Sequence, residues 1–293
     1  MAVITSNGQP CGAVVTDIDL SGELSEAESA QLRAGLDEHH VLVFPDQPLT
    51  DDQLERFSTS FGELGVDPWF VPIEGSEYVA EIRRDADETS RLFGEGWHSD
   101  WSFLDTPPVA TCLYGIDIPP VGGDTLFANQ HLAYERLPED LKGRVDGLRA
   151  KHSDRHIYGK GGMHDPEDEG EQGRSMNIRV NRDPYDGEHP LVRTHEGNGR
   201  PAFFSTVGYV QGIVDMDADE AKELLREVYR HQTADEVVYT HKWEPNMVVV
   251  WDNRSVLHKA TGGYEGHSRL LRRTTVLPRI GSNDTAAATP ATV

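Results

Sequence analysis

The residues of this chain best suited to catalysis are a histidine and an aspartate two positions apart, His98 and Asp100. On an extended segment, residues two apart point to the same side. A distant histidine, His258, would complete a set of two histidines and one carboxylate, which is typical of a non-haem iron(II) site. Three ligands on one face leave the remaining positions open for a bidentate cosubstrate and dioxygen, whereas a structural zinc site is closed. These residues therefore predict an oxygenase rather than a structural metal site.

Two arginines near the end of the chain extend this prediction. Arg269 and Arg273 lie 11 and 15 residues after His258, within a largely apolar run. If that run is a strand, period-two alternation places Arg269, Leu271 and Arg273 on one face, so that two guanidinium groups would lie near the metal and suit two anions. The neighbouring Arg272 would turn inward in place of Arg273 if the strand carried a bulge.

Several further motifs occur along the chain. They are Phe61-Gly62-Glu63-Leu64, the segment Trp97 to Phe103 with Thr106-Pro107-Pro108, Gly122-Gly123-Asp124-Thr125, the segment His189 to His195, and Trp251-Asp252-Asn253-Arg254. With these motifs in this order, the chain resembles the taurine dioxygenase family of iron(II)/2-oxoglutarate-dependent dioxygenases, which includes phenoxyalkanoate dioxygenases. The resemblance covers nearly the whole chain, and the order of separated motifs is far more specific than any one of them.

The resemblance implies a role for each of these residues. His98, Asp100 and His258 would be the iron ligands and the catalytic centre. Thr125 and Arg269 would bind the distal carboxylate of 2-oxoglutarate, since a guanidinium can form two parallel charge-assisted hydrogen bonds to a carboxylate and a hydroxyl can add a third. Arg273 would bind the anionic group of the primary substrate.

The resemblance also implies a fold and a reaction. The fold is mixed α+β, a double-stranded β-helix (jelly roll) core with flanking helices, in which His98 and Asp100 come from the end of one strand and His258 from another. The reaction is hydroxylation of a small organic anion, phenoxyalkanoate-like or sulfonate/sulfate-like, with decarboxylation of 2-oxoglutarate to succinate. The implied cofactors are Fe(II), 2-oxoglutarate as cosubstrate and dioxygen. Related halogenases lack the carboxylate ligand, so Asp100 favours hydroxylation.

Two other functions remain open. A non-oxygenase jelly-roll metalloprotein could use the same three metal ligands, but it would not need Thr125 and Arg269. A catalytically silent sensor would bind 2-oxoglutarate and release no succinate with any substrate. Turnover of 2-oxoglutarate separates both from an oxygenase.

The candidate substrate residues depart from the taurine-specific pattern. Where taurine-specific members have a histidine, a tyrosine and an asparagine, this chain has Asp67, Phe70 and Gly94. These changes remove polar partners expected for taurine. An aromatic pocket around Arg273 would suit an organic anion with a hydrophobic body, and its predicted members are Trp69, Phe70, Trp101, Phe103 and Tyr209. Each aromatic residue is equally compatible with a place in the core.

Each site residue also has a structural interpretation. A lone buried histidine such as His98 usually satisfies its neighbours. Thr125 could serve only to close the glycine-rich turn before it. Arg272 and Arg273 could lie on a solvated strand face. It is the combination of ligands and arginines that favours a functional site.

The chain reads as one domain over residues 1–280. A capping box at Ser25 predicts an early helix, a helical period recurs over residues 219–231, and many short strands lie between, which favours an antiparallel sandwich flanked by helices. Residues 159–176 form a polar, glycine-rich insertion that we interpret as a lid. We expect the small, polar tail over 281–293 to be disordered.

Composition narrows the partners. The net charge of −23 argues against general nucleic-acid binding, which needs lysine and arginine to neutralise phosphates. No apolar run approaches the roughly 20 residues of a membrane span, and no secretion signal is visible. Two cysteines are too few for a disulfide framework. We therefore expect a cytoplasmic protein whose partner is a small anionic molecule; the sequence is compatible with a homo-oligomer and does not fix the oligomeric state.

Overall fold

The computed structural model describes residues 1–165, 167, 173–179, 183–204 and 207–279. The tail predicted over 281–293 lies outside these residues, as do residues 166 and 168–172 of the predicted insertion. The described residues contain both α-helices and β-strands in quantity. This confirms the mixed class expected from the sequence.

The helices of the described residues lie mainly at the start of the chain, at its middle and after residue 217. They are α1 (Glu26–His39), α2 (Asp51–Ser58), α3 (Gln130–Glu135), α4 (Glu139–Val145), α5 (Arg155–Tyr158) and α6 (Ala218–Gln232), with a 3-10 turn at Asp235–Val237. The capping box predicted at Ser25 is present, because the Ser25 hydroxyl accepts from the Glu28 N–H and the Glu28 carboxylate accepts from the Ser25 N–H. The helix predicted over 219–231 extends one residue further at each end.

The strands occupy most of the remaining described chain. They are β1 (Val3–Ser6), β2 (Ala13–Thr16), β3 (Val41–Phe44), β4 (Glu63–Gly65), β5 (Ala80–Arg84), β6 (Ala110–Asp117), β7 (Thr125–Asn129), β8 (Arg149–Ser153), β9 (Asp186–Pro190), β10 (Val192–Thr194), β11 (Pro201–Phe203), β12 (Val210–Ile213), β13 (Val238–His241), β14 (Val248–Asp252), β15 (Val256–Ala260) and β16 (Arg269–Leu277).

One large sheet joins the two ends of the described chain. Its strand order is β1-β2-β3-β14-β6-β16-β4, and β5 also pairs with β16. All of these pairings are antiparallel except β2 with β3, which is parallel. Strand β16, which carries the predicted arginines, therefore lies between β6 and the short strands β4 and β5.

Both faces of this sheet are buried. In β3, Val41 and Val43 face one apolar cluster, whereas Leu42 and Phe44 face another that includes Leu32 of α1. Successive side chains of a strand point to opposite faces, so a continuous apolar run such as residues 41–44 suits a strand covered on both sides. The helices α1 and α2 cover the outer face.

A smaller sheet covers the inner face. It has the strand order β13-β7-β15, and Phe127 of β7 and Val256 of β15 join Leu113, Trp251 and other residues of the large sheet in one apolar cluster. Strand β7 begins with Thr125, and β15 contains His258. Candidate functional side chains from the two sheets thus meet across a shared core.

The described residues contain two further sheets. They are β12-β8-β9 and β10-β11, which pack with α3, α4 and α6 around a separate apolar cluster. The buried side of α6 is formed by Ala221, Leu224 and Val228, as its helical spacing predicts. Among the described residues, no helix is both long enough and apolar enough to cross a membrane.

Candidate active site

Backbone pairing brings the two predicted histidine ligands together. The His258 N–H donates to the carbonyl of His98 at 2.8 Å, and the His98 N–H donates to the carbonyl of His258 at 3.0 Å. His258 lies within β15, but His98 makes only this isolated bridge and Asp100 lies in a turn. The expectation that His98 and Asp100 come from the end of a strand is therefore wrong.

Side-chain hydrogen bonds explain this departure from a strand. The Ser99 hydroxyl donates to the carbonyl of Asn253 at 2.7 Å, and the Asp100 N–H donates to Asn253 Oδ1 at 3.3 Å. Trp101 then takes a positive φ of 45°, which turns the chain away. Asn253 thus holds the segment in a loop in place of a strand ladder.

The three candidate ligand atoms converge on one point. Nε2 of His98 lies 3.8 Å and Nε2 of His258 lies 3.7 Å from Oδ1 of Asp100. The two imidazole centroids are 4.2 Å apart. Ligand atoms about 2 Å from a common metal lie roughly 3 Å apart, so a small inward movement would close this set on a divalent ion. The arrangement fits a metal with two nitrogen ligands and one oxygen ligand.

The two imidazoles are in the form that binds metals. Burial lowers the pKa of His98 and lowers that of His258 well below its usual range, so both rings are neutral at neutral pH. Nδ1 of His98 lies 2.8 Å from the carbonyl oxygen of Gly96, which requires the proton to be on Nδ1. The lone pair of Nε2 is therefore directed toward Asp100.

Asp100 is ionised although it is buried. Burial alone would raise its pKa, but Arg273, followed by the two histidines, holds the pKa down at about 2. Nη2 of Arg273 lies 2.9 Å from Oδ1 of Asp100, without the alignment of a hydrogen bond. Oδ2 instead accepts a 2.6 Å hydrogen bond from the Thr111 hydroxyl. Oδ1 is thus the oxygen that faces the histidines.

A short hydrogen-bond chain fixes the Asp100 carboxylate. Asn253 Nδ2 donates to Thr111 Oγ1 at 2.9 Å, and Thr111 donates in turn to Asp100. Asn253 Oδ1 also accepts from the indole N–H of Trp251 at 3.0 Å, which fixes the amide. Partners of this kind orient a ligand and raise its affinity for metal.

Replacing Thr111 with valine is expected to weaken Mn(II) binding by roughly 10–100-fold, the range found for the loss of a partner of a metal ligand. The shape of the side chain is kept, but Asp100 loses its donor and Asn253 loses its acceptor. Calorimetric titration with Mn(II) measures the change. Thr111→Ser keeps the hydroxyl and is the matched control; equal affinity of both variants and the wild type would show that the chain does not position Asp100.

Arg269 is a buried cation that lacks an ion-pair partner among the described residues. It is 6% exposed, and no carboxylate of the described residues lies within ion-pair distance of its guanidinium. Its Nη2 donates to the carbonyl of Gly123 at 3.3 Å, while its Nε has no hydrogen-bond partner in the described part of the chain. Burial lowers its pKa to about 10, so it remains charged at neutral pH. A buried charge of this kind strongly favours an anionic ligand.

Thr125 lies beside Arg269 in the same cavity. This cavity, of about 60 Å³, is also lined by His98, Asp100 and His258. The Thr125 hydroxyl accepts a 2.9 Å hydrogen bond from the Trp243 indole, which leaves its own proton available for donation. The predicted ligands for metal and for 2-oxoglutarate therefore share one cavity.

The alternation predicted for the arginine strand is present. Arg269, Leu271 and Arg273 are buried, while Arg272 points outward to Glu81 and Asp51. A register shift does occur between Leu270 and Leu271, but the extra residue lies on β6, where Leu270 faces Asp117 and Leu271 faces Gly115. The bulge therefore does not exchange Arg272 for Arg273.

Arg273 differs from Arg269 in having carboxylates around it. Besides Asp100, Asp67 lies near, with its Oδ2 4.0 Å from Nη1 of Arg273. Phe70 and Trp101 flank the guanidinium, with ring centroids 5.9 Å and 5.7 Å away. The predicted substrate residues Asp67, Phe70 and Trp101 thus surround Arg273 directly.

A larger cavity opens beside the candidate metal ligands. It has a volume of about 400 Å³ and shares His98, Phe93 and Gly94 with the smaller cavity. Tyr209 lines it as predicted, whereas Phe70 and Trp101 do not. Trp69 and Phe103 also lie in the aromatic cluster behind it rather than on its wall.

Sequence reasoning missed part of this wall. Tyr158, Met163 and His164 line the larger cavity, and they come from α5 and the start of the predicted insertion. Their sequence carries no catalytic motif, so only their position beside the polar, glycine-rich stretch could have indicated them. Phe93, just before the ligand segment, was also missed.

A second group of potential metal ligands was also missed, and its chemistry argues against a metal. Asp37, His195 and Asp252 place ligand atoms within 4.8 Å of one another. However, His195 Nε2 lies 2.8 Å from Asp252, and Nη2 of Arg254 lies 2.7 Å from Asp252 and 2.9 Å from Asp37. The backbone N–H of Gly197 donates to His195 Nδ1. Arg254 therefore neutralises the carboxylates, and the group is a buried ion-pair network.

Comparison with known proteins identifies the family to which this chain is similar. The model of the taurine catabolism dioxygenase TauD, TfdA family matches residues 5–275. The chain is 35% identical over 300 residues to an alpha-ketoglutarate-dependent 2,4-dichlorophenoxyacetate dioxygenase from Cupriavidus pinatubonensis, covering 94% of this chain and 98% of that protein. It is 31% identical over 271 residues to an alkylsulfatase from Acinetobacter baylyi, covering 92% and 83% respectively.

Two solved structures are similar to this chain over most of its length. A putative alpha-ketoglutarate-dependent taurine dioxygenase from Burkholderia xenovorans has a TM-score of 0.78 at 31% identity, covering 95% of this chain and 90% of that chain. A protein called AAD-2, solved with Mn(II) and N-oxalylglycine, has a TM-score of 0.74 at 26% identity, covering 95% and 98%.

Proposed function

This chain belongs to the taurine catabolism dioxygenase TauD, TfdA family, and we propose that it uses His98, Asp100 and His258 to hold iron(II) while Arg269 and Thr125 hold 2-oxoglutarate. It is a 2-oxoglutarate-dependent, iron-dependent dioxygenase. When bound together with 2-oxoglutarate and dioxygen, the iron would supply the redox chemistry for the oxidative decarboxylation of 2-oxoglutarate to succinate and for the hydroxylation of an organic anion. The protein side chains provide binding, orientation and charge.

The observation that carries this assignment is the position of Arg269. A buried guanidinium with no carboxylate at ion-pair distance in the described part of the chain lines the same cavity as a convergent set of two histidines and one carboxylate. A structural metal site would not need this cation. A ligand with a carboxylate at one end and a metal-binding group at the other satisfies both, and 2-oxoglutarate is such a ligand.

The primary substrate binds on the side of Arg273. Arg273 would attract its anionic group, with Asp67 beside the guanidinium and with Phe70 and Trp101 flanking it. Tyr209 lines the larger cavity, which would accommodate the hydrophobic body of a substrate. One relative is named a 2,4-dichlorophenoxyacetate dioxygenase and another an alkylsulfatase. These names support a phenoxyalkanoate-like or sulfate-like anion as the substrate of this chain.

Three sequence predictions about architecture are retained as part of the proposal. Two facing sheets around a shared core, and TM-scores up to 0.78 to relatives, support a double-stranded β-helix core. The pairing of the first strands with later ones in a single sheet supports one domain over 1–280. Met163 and His164 on the cavity wall support a lid role for residues 159–176. A cytoplasmic location and a homo-oligomer stay predictions.

The test is succinate release by the iron-loaded protein with 2-oxoglutarate and oxygen, across phenoxyalkanoates, alkyl sulfates, sulfonates and amino acids. We expect at least one organic anion to stimulate succinate release and to appear in hydroxylated or cleaved form. If 2-oxoglutarate were not consumed, a non-oxygenase metalloprotein would be favoured. Binding of 2-oxoglutarate without succinate from any substrate would instead favour a sensor.

A further inference from the structure

The pair formed by Arg273 and Asp67 is built differently from a simple anion-binding site. Both residues are almost fully buried, at 6% and 4% exposure. Oδ1 of Asp67 accepts two 2.8 Å hydrogen bonds, from the N–H groups of Trp69 and Phe70, so the carboxylate is held in place. Its Oδ2 faces Arg273 at 4.0 Å and finds no hydrogen-bond partner among the residues that the structure describes.

Arg273 also has unused hydrogen-bonding capacity. Within the described ranges, its Nε and Nη2 have no hydrogen-bond partner, although Asp100 lies at ion-pair distance. Donors of Arg273 and an acceptor of Asp67 are thus left unsatisfied. Because an unsatisfied polar atom in a buried site costs free energy, a ligand that satisfies both residues would be favoured. The pair therefore offers a ligand two complementary contacts, one to a cation and one to a carboxylate oxygen.

The pair lies next to the larger cavity. Tyr158 and Tyr209 line that cavity and share a hydrogen bond, and both interact electrostatically with Arg273. Tyr158 also interacts with Asp67. Arg273 itself lines the smaller cavity beside the candidate metal ligands, so a ligand there would meet its guanidinium and, next to it, Asp67.

An anion that binds Nη1 of Arg273 approaches Asp67. Oδ2 of Asp67 is 4.0 Å from Nη1, so an oxygen at hydrogen-bond distance from Nη1 on that side comes close to Oδ2. Like charges brought together in a buried site lower affinity markedly unless a proton lies between them. A hydroxyl or ammonium group beside the anionic group of the ligand would supply that proton to Oδ2.

We propose that Asp67 sets the substrate class by selecting organic anions that carry a hydrogen-bond donor beside the anionic group, such as 2-hydroxy or 2-amino acids. This narrows the proposed function, because it favours such anions over simple phenoxyalkanoates and alkyl sulfates, which lack that donor. Arg273 attracts the anion, and Asp67 accepts from the adjacent donor. This inference rests on the proposed function, because it places the substrate next to the candidate metal ligands. It makes Asp67 a specificity-determining residue rather than only a counter-ion of Arg273.

The test compares two acids that differ only in the donor, 3-phenylpropionate and its 2-hydroxy counterpart. Calorimetric titrations use anaerobic protein loaded with Mn(II) and 2-oxoglutarate, so that the Arg269 end of the cavity is occupied. In the wild type we expect the hydroxy acid to bind at least about tenfold tighter, which corresponds to about 1.4 kcal/mol. Equal affinities, or binding of neither acid, would overturn the inference.

The variant Asp67→Asn tests the carboxylate itself. Asparagine keeps an oxygen for the two backbone donors, and it removes the charge that opposes a simple anion. We expect 3-phenylpropionate to bind at least about tenfold tighter than in the wild type, so that the preference for the hydroxy acid shrinks. Glu81→Gln is the matched control. It removes one negative charge, that of the partner of the outward-facing Arg272, and should leave the preference for the hydroxy acid unchanged.

The outcomes separate this inference from the proposed function. Failure to load Mn(II) and 2-oxoglutarate would contradict the proposed function and, with it, the inference. Normal loading, followed by an unchanged preference in Asp67→Asn, would contradict the inference alone. An altered preference in Glu81→Gln of the same size as in Asp67→Asn would also overturn it, because general charge would then be the cause.

Discussion

Arg269→Ala is expected to raise the Kd for 2-oxoglutarate by roughly 30-fold to several thousand-fold, since truncating one partner of a buried charge pair costs about 2–5 kcal/mol. The wild-type guanidinium is buried without a carboxylate partner among the described residues, so the ligand would be its counter-ion. Titration of 2-oxoglutarate into Mn(II)-loaded protein measures the effect. Arg269→Lys should recover only part of the affinity, because an ammonium cannot form two parallel hydrogen bonds.

The stability of the same variant provides an independent check. An uncompensated buried charge does not stabilise the unliganded fold, so Arg269→Ala should unfold at an equal or higher temperature than the wild type when no ligand is present. In the wild type, saturating 2-oxoglutarate should raise the Tm, and in the variant this rise should be lost. A variant that is strongly destabilised without ligand would show that Arg269 serves the fold rather than the cosubstrate.

His258→Ala is expected to abolish metal-dependent activity and to weaken Mn(II) binding beyond the roughly 10–100-fold found when a mere partner of a ligand is lost. His258 supplies one of three convergent donors, and burial keeps its imidazole neutral. Titration with Mn(II) and succinate release are the two measurements. His267→Ala, which alters an exposed histidine, is the matched control and should behave as the wild type.

The result that would contradict this role is specific. If His258→Ala bound Mn(II) as tightly as the wild type, His98 and Asp100 would hold the metal without it. Parallel loss of binding and of folding, seen as a lowered Tm, would instead point to a structural role. The backbone bridge between His98 and His258 does not depend on the imidazole, so we expect the fold to survive.

Sequence periodicity identified the arginine strand because its information is local. Period-two alternation requires only that residues 269–277 form a strand, and it correctly separated the buried Arg273 from the outward Arg272. The capping box at Ser25 is likewise a local pattern. The spacing of His98 and Asp100 alone also indicated that they are candidate metal ligands, although it did not predict the loop that holds them.

What the sequence did not reveal depends on contacts between distant residues. Asn253 replaces a strand partner for the ligand segment through side-chain hydrogen bonds, and no periodic pattern encodes this. The approach of Asp67 to Arg273 and the network around His195 arise from the same kind of distant contact. Tyr158 lines the larger cavity from a short helix whose residues carry no motif.

The most direct measurement is a calorimetric titration of 2-oxoglutarate into the wild-type protein under anaerobic conditions, with and without Mn(II). If the two histidines, Asp100 and Arg269 form one site for metal and cosubstrate, 2-oxoglutarate will bind with a stoichiometry of one and much more tightly when Mn(II) is present. Affinity that does not depend on the metal, or no binding at all, would contradict a shared site and, with it, the assignment of these residues.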